Sequence, residues 1–180
     1  GLVVVGSYVP LADQQLERLL QEPGCHGLEL PVRRIARVLE SGTPDLLLAD
    51  LEREWLQQLR EMLAGDTTPV LYSSRGEIGF ASLPQRRHFS LQLAQVMARL
   101  AAAVASDLGY LISKGGTTTQ SLLSKGLGLT AVQLEGQLLP GLSLVRPSEG
   151  RHAGLPILTF PGNLGSADTL RDAWQRMDAG

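Results

Sequence analysis

The chain has 180 residues, 43% of them hydrophobic and 19% charged, proportions that suit one packed domain and leave no long stretch for disorder. Sixteen basic against eighteen acidic side chains give a formal net charge of −2, too weak a field to attract nucleic acid or an anionic membrane. Apolar runs such as "LLLA" and "LAAAVA" fall far short of the roughly 18 to 20 residues that span a bilayer, and the single cysteine, Cys25, excludes an internal disulfide and suits a reducing cytoplasm.

The opening "GLVVVGSYVP" has no basic flank, long apolar core or small-residue cleavage site, so it is not read as a signal peptide. It begins almost inside a strand, as a piece cut from a longer protein would. Residues 2–5 form a β-branched run closed by Gly6-Ser7, and Pro10 opens a helix with Leu11, Leu16, Leu19 and Leu20 at helical spacing. "GLEL" is a second strand, and "PVRRIARVLE" a short amphipathic helix with Val32, Ile35, Val38 and Leu39 inward. Ser41 to Pro44 break it, and a helix from Asp50 to Leu63 carries one stripe of Leu51, Trp55, Leu59, Met62 and Leu63. Pro69 to Ser73 make a strand running into a polar loop that contains "SSRGE", where Arg75 reads as a solvated loop arginine. The longest helix follows, from about Leu83 to Leu108, with Gly109 placed to terminate it.

"YLIS" is the next strand and leads into Lys114-Gly115-Gly116, followed by a helix over 117–127. Two strands flank the Pro140-Gly141 turn, "LPILTF" is the last strand, and residues 167–177 form the last helix. Strands alternating with helices predict an α/β fold in three layers: a largely parallel sheet with helices on both faces, in a single domain covering 1–180.

In such a sheet ligands bind outside the carboxyl ends of the strands. Three strand-ending loops share a pattern there: "VVVGSYVP", "LISKGGTTTQ" and "ILTFPGNLGS" each follow an apolar run, place glycine beside a small polar residue and precede a helix. Glycine permits close approach, and the free N–H groups of a first helical turn favour an anion, so the pattern suits phosphate. Thr117, Thr118 and Thr119 add hydroxyls for phosphate or hydrated magnesium. Each loop taken alone is more commonly just a strand-to-helix turn with an N-cap. Lys114 precedes its glycine pair, so the Walker order is absent, and neither GxGxxG nor Gly-x-Ser-x-Gly occurs. His26, His88 and His152 are scattered, with no zinc spacing.

Together the segments "VVVGSYVPLADQQLERL", "SKGGTTTQSLLSKGLGL", "EGQLLPGLSLV" and "LPILTFPGNLGSADTL" resemble, in order, the C-terminal nucleotide-binding domain of the four-carbon acid sugar kinases. The resemblance implies ATP and Mg2+ as cofactors, and places Ser7, Gly115, Gly116, Thr117, Thr118 and Gly162 on ATP-contacting positions, with no metal ligand among them. It implies phosphoryl transfer to a hydroxyl of a threonate- or erythronate-type acid. The acid sugar site and its catalytic base belong to an N-terminal domain outside this chain, so this domain is expected to bind ATP without turning over. Thr117 and Lys114 stand where the family's side chains vary, which leaves the Thr117 N–H as the more secure donor. A non-catalytic module holding a phosphorylated metabolite is the alternative reading, and the sequence leaves a homodimer open.

Overall fold

The computed structural model describes residues 1–75 and 79–180. A seven-stranded sheet runs in the order β2-β3-β1-β4-β7-β6-β5. Its strands are β1 (Leu2–Val5), β2 (Cys25–Leu30), β3 (Thr68–Ser73), β4 (Leu111–Lys114), β5 (Gln133–Leu139), β6 (Leu142–Arg146) and β7 (Ile157–Phe160). The first five in sheet order are parallel, and the β5–β6 hairpin joins antiparallel at one edge. The three-layer α/β architecture read from the sequence is therefore the one observed.

Alternation along the strands explains both faces. Leu2, Val4, Leu71 and Leu111 point to one side. They are covered by α2 (Val32–Leu39), α3 (Pro44–Leu63), α4 (Leu83–Val104) and the helix after β4. Val3, Val5, Val70 and Ile112 point to the other, under α1 (Pro10–Leu19) and α6 (Thr169–Asp178). Strands buried on both faces need continuous apolar sequence, which is why "LVVV" and "LI" carry no polar alternation. The helix after β4, α5 (Gly116–Ser121), runs directly into a π-helical turn over Leu122–Gly126.

Several strand ends shift by one or two residues from the sequence reading, and two helix boundaries differ from it for a physical reason. Helix α3 begins at Pro44 rather than Asp50: proline fits the first helical turn, Asp45 follows it, and Leu48 is buried, so the segment taken for a breaker's exit is the helix start. Helix α4 ends through a 3-10 turn at Ala105–Asp107, and Gly109 is not among the glycines with left-handed backbone. Its termination comes from the geometry of that turn. The segment Leu83–Asp107 is long and apolar enough by composition to cross a membrane, yet over half of its apolar 18-residue window is buried inside the domain, as expected of a helix that packs on the core.

Candidate functional site

The site follows from sheet register. Val5 pairs with Lys114, and Lys114 with Phe160, so the last residues of β1, β4 and β7 lie side by side. The ladder continues one step further: Gly6 N donates to Lys114 O at 3.1 Å and Gly115 N to Phe160 O at 2.9 Å. The three glycine loops therefore leave the sheet at one level. From there β1 feeds α1 on one face while β4 feeds α5 on the other. Adjacent strands whose connections part in this way open a crevice at the switch point.

A cleft of about 300 Å³ lies there, and its lining includes Ser7, Gly115, Gly116, Thr117, Thr118 and Gly162. All six residues singled out in the sequence thus meet in one place. The opposite wall is α4, through Arg86, Ser90, Leu93, Ala94 and Met97. Close approach explains the glycines. A Cβ on Gly6 would run into the Thr118 side chain, and one on Gly162 would stand 2.6 Å from Ser7 Oγ. Gly115 has φ +113°, a backbone that residues with a Cβ rarely adopt. Gly116 differs: a Cβ there meets nothing within 4 Å, so its position faces open space.

The hydroxyls divide into two kinds. Thr118 is 3% exposed, and its side chain fills the space beneath Gly6. The Thr119 hydroxyl donates to Ser113 O at 3.1 Å and lies 2.9 Å from the Ser113 hydroxyl. Thr117 is exposed at the mouth. The first bond inside α5 is Thr119 N to Gly115 O, so the N–H groups of Gly116, Thr117 and Thr118 precede the helical ladder and are available to an anion.

Lys114 turns away from the cleft. It is fully buried, lies 3.9 Å over the Phe160 ring, and donates from Nζ to Pro161 O at 3.2 Å and Gly162 O at 3.3 Å. Burial pulls its ammonium pKa down to about 8. It fastens the Pro161-Gly162 loop from beneath.

Gln15, which the sequence reading passed over, fastens the same loop further along. Fully buried on α1, it donates from Nε2 to Leu164 O at 3.0 Å and Ser166 O at 2.6 Å. A glutamine on the leucine-lined face of that helix was the available signal. In a trans peptide the N–H opposes the C=O, so carbonyls drawn inward at 161, 162, 164 and 166 turn the following N–H groups outward. The loop is held with donors facing away from Lys114 and Gln15.

Arg75 is also not the solvated residue expected. Its side chain is 26% exposed. Nη1 donates to Ser7 O at 2.7 Å, and Nε lies 3.2 Å from Asp13 Oδ1, so the guanidinium braces the Gly6-Ser7 loop against α1. Gly76 and Glu77 of "SSRGE" lie outside the described residues. Among the described residues no carboxylate lines the cleft, and no group of three or more His, Cys, Asp or Glu is placed to hold a metal.

Comparison with solved structures places this architecture. A protein from Bordetella bronchiseptica containing a domain of unknown function (DUF1537), solved as a domain-swapped dimer with bound citrate, superposes with a TM-score of 0.76 at 22% identity over 98% of this chain and 40% of its own. A second crystal form of it gives 0.70 at 24% identity over 98% of this chain and 38% of its own. A Salmonella typhimurium LT2 protein provisionally named a tRNA synthase gives 0.64 at 18% identity over 96% and 39%. At these identities the likeness is one of fold, and the chain spans about two fifths of those proteins' length. No curated protein matches it in sequence. The family described as nucleotide-binding C-terminal domain matches residues 2–170, in keeping with the resemblance to the four-carbon acid sugar kinases. With its glycine loops converged at the switch point of a three-layer sheet, this chain belongs to the nucleotide-binding C-terminal domain family.

Proposed function

We propose that this chain is the nucleotide-binding part of an ATP-dependent kinase that phosphorylates a hydroxyl of a four-carbon acid sugar of the threonate or erythronate type. The observation that carries the reading is the convergence of Ser7, Gly115 to Thr118 and Gly162 on one cleft at the switch point. Phosphoryl transfer depends mainly on positioning and on spreading charge. The residues fit that task. The N–H groups of Gly116, Thr117 and Thr118 bind phosphate oxygens at the mouth of α5, Ser7 and Gly162 close the far side, and Arg86 on α4 adds positive charge.

Magnesium supplies charge neutralisation to the phosphates when bound. Among the described residues no carboxylate lines the cleft, so magnesium would be held chiefly by the nucleotide's own phosphates, and the exposed Thr117 hydroxyl would be available to its hydration shell. The acceptor hydroxyl and the base that deprotonates it belong to the part of the kinase beyond this chain, and ATP hydrolysis by the domain alone is therefore negligible. A reducing cytoplasm, where ATP is plentiful, is the setting that goes with this reading.

Titration calorimetry with Mg·ATP tests it. Gly116→Asp has room for its side chain, so it adds a carboxylate without a clash and lowers affinity at least about tenfold by like-charge repulsion. Absence of ATP binding by the unaltered domain counts against the cradle. Preference for a phosphorylated metabolite over every nucleotide would favour the regulatory alternative.

A further inference from the structure

Next to the glycine cleft lies a second, larger compartment of about 610 Å³, over the carboxyl ends of β1, β3 and β2. The two adjoin: Tyr8, Arg86 and Ser90 line both. Their chemistry differs. The cleft is walled on one side by glycines, threonines and their N–H groups. The compartment has an apolar wall of Phe80, Leu83, Phe89 and Val32, with the Phe80 and Phe89 rings 5.3 Å apart at 41°. Its polar wall includes Asp13, Ser74, Arg75 and Ser82. Leu83 is 70% exposed and Tyr8 42%, an apolar and aromatic surface left open beside a polar cleft.

The cation inside this compartment is already engaged: Arg75 is held by Ser7 O and Asp13. Arg86 instead stands at the junction, common to both spaces. A small acid bearing a hydroxyl on almost every carbon can pair with the polar wall but leaves the phenylalanine and leucine wall uncovered. A flat heterocycle joined to a polar chain matches the arrangement, since rings stack on aromatic and aliphatic walls.

We propose that this compartment takes the nucleoside of the bound nucleotide, the base lying against Phe80, Phe89 and Leu83 while the phosphates pass Arg86 into the glycine cleft. The assignment rests on the nucleotide reading above and adds a direction to it: the nucleotide runs along the carboxyl edge of the sheet, from β3 toward β7.

The test compares two ligands on the 180-residue chain, Mg·ATP and magnesium tripolyphosphate, by titration calorimetry. Phe80→Ala and Leu83→Ala remove wall from the compartment, and neither residue lines the glycine cleft; Leu83, being largely exposed, can be shortened without loss of packing. Together they weaken ATP about tenfold, a typical loss for stacking contacts, and leave tripolyphosphate unchanged. Gly116→Asp weakens both ligands. Unaltered ATP affinity in the Phe80→Ala/Leu83→Ala protein, with Gly116→Asp still damaging, overturns the nucleoside assignment while the phosphate cradle stands. Equal loss of both ligands in that protein overturns it too, because the walls would then act through the fold. Failure of the unaltered chain to bind either ligand instead removes the nucleotide reading itself.

Discussion

Gly162 faces Ser7 so closely that a Cβ on the glycine would stand 2.6 Å from the serine Oγ and 3.4 Å from its Cβ. The third loop is thus seated on the first by the lack of a side chain. Gly162→Ala forces the Ser7 hydroxyl out of place, and nucleotide affinity falls about tenfold with a Tm loss of only a few degrees. Removing the hydroxyl relieves the clash, since the remaining contact is ordinary. The Gly162→Ala/Ser7→Ala protein therefore regains the melting temperature of Ser7→Ala in a thermal melt without regaining affinity.

Gln15 ties two carbonyls of the 161–166 loop to α1. Gln15→Leu leaves both without their donor and costs about 1 to 3 kcal/mol of stability. Urea denaturation measures that loss. Hydrogen exchange should accelerate across residues 162–167 more than in the strands, and nucleotide affinity should drop with it. Uniform acceleration through the sheet would mean that Gln15 supports the core and not the loop.

Lys114 gives a pH dependence of known sign. Its ammonium has a pKa of about 8 in the fold against 10.5 for an unperturbed lysine. Below pH 8 it is charged in both states, and the folded protein bears the cost of burying that charge. Between about 8 and 10.5 the unfolded chain holds more protons, so this group makes stability rise with pH over that window and level off above it. Relative to Lys114→Met, the unaltered protein should gain stability from pH 8 to 10 in paired urea titrations. A flat difference would show that the amine stays protonated where it is.

Cys25 lies at 6% exposure on β2, and burial, with Glu22 and Asp178 nearby, pushes its thiol up to about 12. Only the thiolate attacks a disulfide reagent. At pH 8 the native protein should therefore react with an aromatic disulfide at the rate of global or local opening, and at once in denaturant. Fast labelling of the native form would place the thiol outside the core.

The β-branched run at 2–5, the leucine spacing of α1 and the apolar strands before Lys114 and Pro161 were readable because burial on one or two faces dictates residue type at fixed periods. Glycine beside small polar residues marked the three loops for a similar local reason. Gln15, Arg75 and Arg86 were not readable as parts of the site. Gln15 and Arg75 act on partners far along the chain, Gln15 on Leu164 and Ser166 and Arg75 on Ser7, and Arg86 joins the glycine loops only as lining of a shared cleft. The orientation of Lys114 was undecided for the same reason, since its acceptors are the carbonyls of Pro161 and Gly162 on a different strand's exit.

Sequence by itself determined the elements, the parallel α/β class and the positions where a side chain would obstruct, because propensity, periodicity and the lack of a Cβ are local properties. Only the tertiary structure decided that the three loops leave the sheet at one level and that α1 and α5 diverge to opposite faces. Those depend on strand order and register, Val5 beside Lys114 beside Phe160, which are fixed when both faces of the sheet are buried together and not by any segment alone.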